Sequence, residues 1–172
     1  TSGTTGTPKG VMLPHRAVAT HNQAATALFA LTPADRVLQF ATITFDAAVE
    51  EIFPTLICGA TLVLRPEGAL PSGAELLQYA AAQGVTVLDL PTAYWHAMVG
   101  ELALGGAALP ACLRLVVVGG EAAAPEQLAA WLRHGGDRVT WLNTYGPTEA
   151  AVIASAYALR PGDPVPDGII PI

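Results

Sequence analysis

Residues 113–120 read LRLVVVGG, and this stretch decides the fold class that the sequence predicts. Apart from Arg114 it is an unbroken run of Leu and Val, which is typical of a buried strand in a parallel sheet. Gly119 and Gly120 end the strand, and a helix is predicted over 125–133. The stretch therefore predicts one strand–helix unit of a buried sheet.

The same alternation of extended and helical segments continues on both sides of this strand. Further strands are predicted over 37–43, 61–64, 85–90, 139–142 and 152–157. Further helices are predicted over 15–31, over 46–58, from 72 to a stop at Gly84, and after Pro91. Ser72 and Glu75 form the signature of a capping box, whereas Pro54 should bend or interrupt its helix. The pattern predicts an α/β fold with a doubly wound, largely parallel sheet and helices on both faces.

Composition limits the class of protein. The 172 residues suit one domain or a large piece of one. Hydrophobic residues make up 52% and charged residues 13%, which favours a packed core over disorder. A net charge of −6 argues against nucleic-acid binding and against a basic membrane-binding surface. The sequence contains no apolar span long enough to cross a bilayer, and Cys58 and Cys112 are interpreted as two buried thiols in a reducing cytoplasm.

The chain opens with TSGTTGTPKG at residues 1–10, which has the composition of a phosphate-binding loop. Its glycines let the backbone approach a ligand closely, its hydroxyls are donors, and Lys9 is a cation. The P-loop template does not fit, because Pro8 stands at its second glycine and Gly10 at its metal-binding hydroxyl. A flexible, Gly-rich terminus is the alternative interpretation.

Three further unusual stretches follow predicted strands: TFDAAVEE at 44–51, GGEA at 119–122 and NTYGPTE at 143–149. Doubly wound sheets bind their ligands beyond the carboxyl ends of the strands. Together with the opening loop, these motifs resemble the large N-terminal subdomain of adenylate-forming enzymes, specifically the amino-acid adenylation domains of nonribosomal peptide synthetases. The resemblance runs through the whole chain.

The resemblance implies a binding site for ATP and Mg²⁺. Lys9, Thr148 and Glu149 are the implied catalytic residues, with Glu149 as the Mg²⁺ ligand. Tyr145 would stack on the adenine ring, and Asn143 would face its exocyclic amine. The full set implied to bind the nucleotide is Thr1, Ser2, Gly3, Thr4, Thr5, Gly6, Lys9, Gly120, Glu121, Ala122, Asn143, Tyr145 and Thr148.

The resemblance also implies an amino-acid pocket lined by Asp46, Ala47, Glu50, Asp89, Val117, Gly119, Thr144, Val152 and Ile153. Asp46 would pair with the α-ammonium group, which leaves the carboxylates of Glu50 and Asp89 for a positively charged side chain. The predicted substrate is therefore lysine, ornithine or a related diamino acid, ahead of arginine. In the alternative, Glu50 faces solvent like Glu51, and a neutral polar substrate competes.

The implied activity is formation of aminoacyl-AMP from an amino acid and ATP, followed by transfer to a carrier-protein thiol on phosphopantetheine, as in secondary metabolite biosynthesis. The implied partners are the carrier domain and other modules of a synthetase. The alternatives are an acyl-CoA or aryl-acid ligase of the same superfamily, or a non-catalytic piece; the ammonium partner Asp46 argues against the former.

The resemblance implies a domain organisation as well. Residues 1–160 would be part of the AMP-binding large subdomain, and 161–172 a Pro/Gly-rich loop leading toward the remainder. The sequence contains no match to the family's segment with the ribose-binding aspartate, nor to the C-terminal subdomain with the adenylation lysine. We expect a sheet truncated at both ends, and residues 1–172 alone to be inactive.

Overall fold

Six strands form one sheet in the computed structural model, which describes residues 10–172. The strands are β1 (Arg36–Gln39), β2 (Thr61–Leu64), β3 (Val87–Pro91), β4 (Leu115–Gly119), β5 (Thr140–Tyr145) and β6 (Ser155–Leu159). Their order is β2-β1-β3-β4-β5-β6, with β1 to β5 parallel and β6 antiparallel to β5. The predicted α/β class with a largely parallel sheet is confirmed.

Helices cover both faces of this sheet. They are α1 (His15–Leu28), α2 (Ala47–Ile57), α3 (Gly73–Gln83), α4 (Thr92–Ala103) and α5 (Pro125–Arg133), with 3-10 turns at Gly136–Arg138 and Thr148–Ala150. Side chains of α3, α4 and α5 pack with Val116 and Val118, whereas α1 packs with Leu115 and Val117. Alternate residues of β4 thus face two separate cores, which explains its unbroken apolar run. None of the helices in the described part of the chain is long and apolar enough to cross a membrane.

The capping residues act as predicted. Ser72 N donates to Glu75 Oε2 at 2.8 Å, Glu75 N donates to Ser72 Oγ at 3.2 Å, and α3 ends on Gly84 in the left-handed region at φ 63°. Pro54 lies inside α2, which continues past it, so of the predicted bend or interruption the interruption is wrong. The thiols are free, but Cys58 is half-buried and Cys112 is exposed, so the prediction of two buried thiols is wrong.

The Arg114 side chain, which interrupts the apolar run 113–118, clamps the edge of the sheet opposite the carboxyl ends of the strands. Its Nε and Nη2 donate to the two carboxylate oxygens of Asp35 at 2.7 and 2.8 Å, and its Nη1 donates to Phe29 O at 3.1 Å. Burial raises the pKa of Asp35, but hydrogen bonds from Arg114, Thr86 and Thr32 outweigh this effect and hold it at about 2. The clamp ties α1 to β1 and β4.

The segment 161–172 contains no helix or strand, as predicted, yet it returns to the sheet. Ile170 is 7% exposed and packs in the core that contains Trp141. Asn143 Nδ2 of β5 donates to Pro171 O at 2.8 Å. The Pro/Gly-rich tail therefore packs against the carboxyl half of β5.

Candidate functional site

A cavity of ≈ 360 Å³ lies at the carboxyl ends of the parallel strands. Its walls come from the segments that follow β1, β2, β4 and β5, from the first turns of α2, and from β3. The lining residues are Phe40, Ala41, Thr42, Phe45, Asp46, Ala47, Glu50, Glu51, Arg65, Leu70, Asp89, Leu90, Pro91, Gly119, Gly120, Thr144, Gly146, Val152 and Ile153. This is the position at which ligands bind in doubly wound sheets.

The structure brings together eight of the nine residues predicted for the amino-acid pocket: Asp46, Ala47, Glu50, Asp89, Gly119, Thr144, Val152 and Ile153. Val117 is not at the cavity wall. It is fully buried, and it pairs in register with Asp89 and Leu142, two residues before the carboxyl end of β4. Val117 packs with Val87 and Leu142, so it lies in the core beside the pocket.

Glu50 and Asp89 are buried at the cavity from two different elements. Glu50 lies in the first turn of α2 and is 5% exposed, and Asp89 lies in the middle of β3 and is 8% exposed. Burial raises the pKa of Glu50 to about 8 and raises the pKa of Asp89 well above its ordinary range. The alternative in which Glu50 faces solvent is therefore wrong.

Glu51 is buried too, so the expectation that Glu51 faces solvent is wrong. Its Oε1 accepts from Phe40 N at 3.1 Å and from Ala41 N at 2.9 Å, and its Oε2 accepts from Gln39 Nε2 at 3.1 Å. Burial raises the pKa of Glu51, and these hydrogen bonds act in the opposite direction. Glu51 thus joins α2 to the end of β1, whose Phe40 and Ala41 form part of the cavity wall.

We expect Glu51→Gln to lower the free energy of unfolding by about 1–3 kcal/mol, because the amide NH₂ that replaces Oε2 would face the N–H donors of the Gln39 side chain and the Ala41 backbone. Glu67→Gln removes an exposed carboxylate and is expected to change stability by less than about 0.5 kcal/mol. Denaturant unfolding followed by fluorescence of the buried tryptophans measures both. Equal stability of the two variants would show that the Glu51 contacts contribute nothing.

The turn after β5 holds Val152 and Ile153 against the cavity in an unusual backbone conformation. Ala151 and Val152 have φ values of 59° and 75°, in the left-handed region that β-branched residues such as Val rarely adopt. The turn passes over Gly146, where a Cβ would lie 1.9 Å from Val152 O. Only glycine fits at residue 146, and backbone strain of this kind is concentrated at binding sites.

The residues predicted to bind the nucleotide lie beside this cavity, as far as the structure describes them. Gly120, Glu121 and Ala122 directly follow β4, and the hydroxyl of Thr92 donates to Gly119 O at 3.0 Å and to Glu121 O at 3.2 Å. The hydrogen bonds from Thr92 shape the GGEA turn. Thr1, Ser2, Gly3, Thr4, Thr5, Gly6 and Lys9 lie outside the described residues.

The other residues predicted to bind the nucleotide lie at the end of β5 and in the turn that follows it. Tyr145 is 54% exposed, so its ring is free to stack, and Thr148 and Glu149 lie in the 3-10 turn that follows. Asn143 is 1% exposed; its Nδ2 is occupied by Pro171 O, whereas its Oδ1 has no partner among residues 10–172. The predicted contact with an exocyclic amine would therefore fall on Oδ1, which is buried.

A single carboxylate ligand, Glu149, is predicted for Mg²⁺. No group of three or more His, Cys, Asp or Glu side chains in the described part of the chain could hold a metal. Glu149 would be a single carboxylate ligand on an exposed turn. This arrangement fits Mg²⁺, which is commonly held by one or two carboxylates together with substrate phosphates and water.

Several cavity residues were not predicted. Phe40, Ala41 and Thr42 follow β1, Arg65 follows β2, and the Arg65 guanidinium lies 5.5 Å from the centre of the Phe40 ring. The signal that could have found Arg65 is its position directly after the predicted strand 61–64, where parallel sheets collect ligand contacts. The strand predicted over 37–43 runs through Phe40, Ala41 and Thr42, whereas β1 ends at Gln39.

Comparison with known proteins agrees with this geometry. The family described as AMP-binding enzyme matches residues 1–170. The isonitrile lipopeptide synthase of Streptomyces coeruleorubidus is 49% identical over 98% of this chain, which spans 12% of that protein. The Klebsiella oxytoca NpsA N-terminal subdomain in complex with 3-hydroxybenzoyl-AMSN is 30% identical with a TM-score of 0.78, covering 93% of this chain and 39% of that one.

A second solved structure that matches is the Vibrio cholerae adenylation domain AlmE in complex with glycyl-adenosine-5'-phosphate. It is 28% identical with a TM-score of 0.78, and the match covers 94% of this chain and 30% of AlmE. The chain thus spans well under half the length of each of these three proteins.

Proposed function

Because the chain belongs to the AMP-binding enzyme family, we propose that it supplies the amino-acid pocket and most of the ATP site of an enzyme that forms aminoacyl-AMP and pyrophosphate. The observation that carries this proposal is the cavity itself. The carboxyl groups of Asp46, Glu50 and Asp89 lie within one site beside the nucleotide motifs, together with Glu51, whose carboxylate accepts from backbone N–H groups. The resemblance to an adenylation domain bound to glycyl-adenosine-5'-phosphate supports it.

In the proposed organisation, residues 1–160 are part of the large AMP-binding subdomain and 161–172 lead toward further parts. The small share of each relative that the chain spans supports its being part of a larger protein. The aminoacyl group would pass to a phosphopantetheine thiol on a carrier domain, in keeping with relatives that are named as peptide synthetases and synthases.

The reaction we propose is in-line attack of the amino-acid carboxylate on the α-phosphorus of ATP. Lys9, Thr148 and Glu149 would act by positioning and neutralising the phosphates, since phosphoryl transfer depends mostly on these two effects. Glu149 would hold Mg²⁺, which supplies positive charge to the phosphate oxygens when bound. Asn143 Oδ1 would accept from the adenine amine, and Tyr145 would stack on the ring.

The proposed substrate is a basic amino acid, with lysine, ornithine or a related diamino acid favoured over arginine. Asp46 would bind the α-ammonium group, and the buried carboxyl groups of Glu50 and Asp89 would bind the side-chain ammonium. Val152 and Ile153 would cover the methylene stem, and Gly119 leaves space for its length. A buried carboxylate needs a cationic or hydrogen-bonding partner, which a basic side chain provides.

An aryl-acid substrate is the second candidate, because NpsA was solved with a 3-hydroxybenzoyl compound. Such a substrate would bring no cation to Asp46, Glu50 and Asp89, and Arg65, a cation at the same cavity, acts on Glu51 instead. The acids of this chain therefore favour the basic amino acid.

The test is ATP–pyrophosphate exchange by the full-length protein that contains this chain, over a panel of amino acids and aryl acids. We expect ornithine or lysine to give the highest kcat/KM, exceeding norleucine, which has the same backbone and no side-chain charge. A higher kcat/KM for norleucine, glutamine or 3-hydroxybenzoate than for both diamino acids would contradict the proposed substrate class.

A further inference from the structure

The carboxyl groups of Glu50 and Asp89 are buried at the same cavity, and a hydrogen bond between them acts on the pKa of each. One comes from the first turn of α2 and the other from the middle of β3, so the folded sheet and helix bring them together. An ionised carboxylate can only accept a hydrogen bond. A hydrogen bond between two carboxyl groups therefore requires a proton on one of them.

The charged groups that act on this pair favour retention of that proton. Within α2, Asp46 and Glu51 are both acids, and Glu51 also acts on Asp89. After β2, Arg65 acts on Glu51, and Asp46 acts on His21 of α1. The charges that act directly on Glu50 and Asp89 among the described residues are thus negative, and both carboxyl groups are removed from water.

The pair also has unused hydrogen-bonding capacity. Oε2 of Glu50 and Oδ2 of Asp89 are buried, and neither has a hydrogen-bond donor from residues 10–172. Both residues line the cavity. Buried acceptors without a donor are costly, so a ligand that donates hydrogen bonds at this end of the cavity would remove the cost.

We infer that Glu50 and Asp89 hold one proton between them while the cavity has no substrate, and that a cationic substrate side chain displaces this proton on binding. The inference rests on the proposed function and extends it to the charge state of the site. The free pair carries one negative charge and the substrate side chain one positive charge. In the complex both carboxylates are ionised around the ammonium, and one proton leaves to solvent, so charge balances.

Binding of a basic substrate would then depend on pH. Burial and the neighbouring acids raise the pKa of both carboxyl groups, and an ammonium group that donates to both would lower it again. Below the raised pKa, affinity rises about tenfold for each pH unit, because one proton is released per ligand bound. A neutral side chain leaves the proton in place, so its binding has no such slope.

The experiment measures proton release when L-ornithine binds to the full-length protein without ATP. Calorimetry at pH 7 in phosphate and in Tris, which differ in ionisation heat, counts the protons. We expect close to one proton released per ornithine by the unmodified protein. We expect close to none by Glu50→Gln, while Glu126→Gln, which removes an exposed carboxylate on α5, leaves the release unchanged.

A second measurement separates this inference from the proposed function. The infrared difference spectrum of the free protein against Glu50→Gln at pH 7 should show the carbonyl band of a protonated carboxylic acid. Absence of that band, or ornithine binding without proton release, would overturn the inference and leave the proposed function standing. If the band is present but neither ornithine nor lysine binds, the proposed substrate is wrong, and the displacement step is wrong with it.

Discussion

Glu50→Gln and Asp89→Asn should each lower the preference for ornithine over norleucine in pyrophosphate exchange on the order of 100-fold. The substitutions keep the size of the side chains but remove the negative charge that the side-chain ammonium would meet at two buried positions of the cavity. Loss of one partner from a buried, hydrogen-bonded charge pair costs about 2–5 kcal/mol, which corresponds to this range. Most of the loss should appear in KM for the basic amino acid.

Two controls accompany this result. Glu126→Gln removes an exposed carboxylate on α5 and should leave the ornithine preference unchanged. The norleucine reaction reports pocket integrity, because it makes no use of the two acids, and its kcat/KM should stay within a few-fold. If both pocket variants keep the full preference for ornithine, Glu50 and Asp89 do not recognise the side chain.

Glu50→Gln should also change how the melting temperature depends on pH. The folded pKa of Glu50 lies above its unfolded value, so the folded protein binds more protons than the unfolded protein between about pH 4.5 and about pH 8. Stability contributed by the protonated group is therefore lost as pH rises through this window. The difference in melting temperature, Glu50→Gln minus the unmodified protein, should therefore be more positive at pH 8 than at pH 5. A misfolded variant would not show this pH dependence.

Lys9→Ala and Glu149→Gln should each slow adenylation by about 10- to 1000-fold at saturating amino acid, which is the second large effect. Lys9 would neutralise the phosphates and Glu149 would hold Mg²⁺, so both act on charge in the transition state. Because Glu149 is not part of the amino-acid cavity, its substitution should lower kcat far more than it raises KM for ornithine.

Circular dichroism of both variants should match that of the unmodified protein, since Glu149 is exposed on a short turn. Glu126→Gln is again the matched control, and raising Mg²⁺ should recover part of the rate of Glu149→Gln but none of the rate of Lys9→Ala. Exchange rates equal to those of the unmodified protein in both variants would remove these two residues from the mechanism.

Much of the fold could be predicted because its signals are local. The strand within LRLVVVGG, the capping box of Ser72 and Glu75, and the helix over 125–133 each depend on neighbouring residues along the chain. The parallel arrangement then follows from the alternation of strands and helices, and the position of the site follows from where parallel strands end. Eight pocket residues could be placed on this basis, with the family resemblance.

The tertiary structure alone decided which face of α2 is buried. Phe53, Leu56 and Ile57 are exposed, whereas Glu50 and Glu51 are buried, the reverse of what hydropathy favours. Glu51 is buried because β1 ends at Gln39 and leaves the N–H groups of Phe40 and Ala41 in need of an acceptor. The Glu51 carboxylate accepts from both groups, which lie 11 and 10 residues before it in the sequence. No local pattern encodes such a contact.

The sequence by itself determined the sheet, the helix caps and the identity of the residues at the strand ends. Only the tertiary structure placed Val117 in the core instead of the pocket, closed the tail onto Asn143, and brought the carboxyl groups of Glu50 and Asp89 into contact. Local propensity acts over a few residues of chain, whereas burial and proton sharing depend on the distance between groups that are 39 residues apart in the sequence and adjacent in space. The chemistry of this pocket therefore arises from packing.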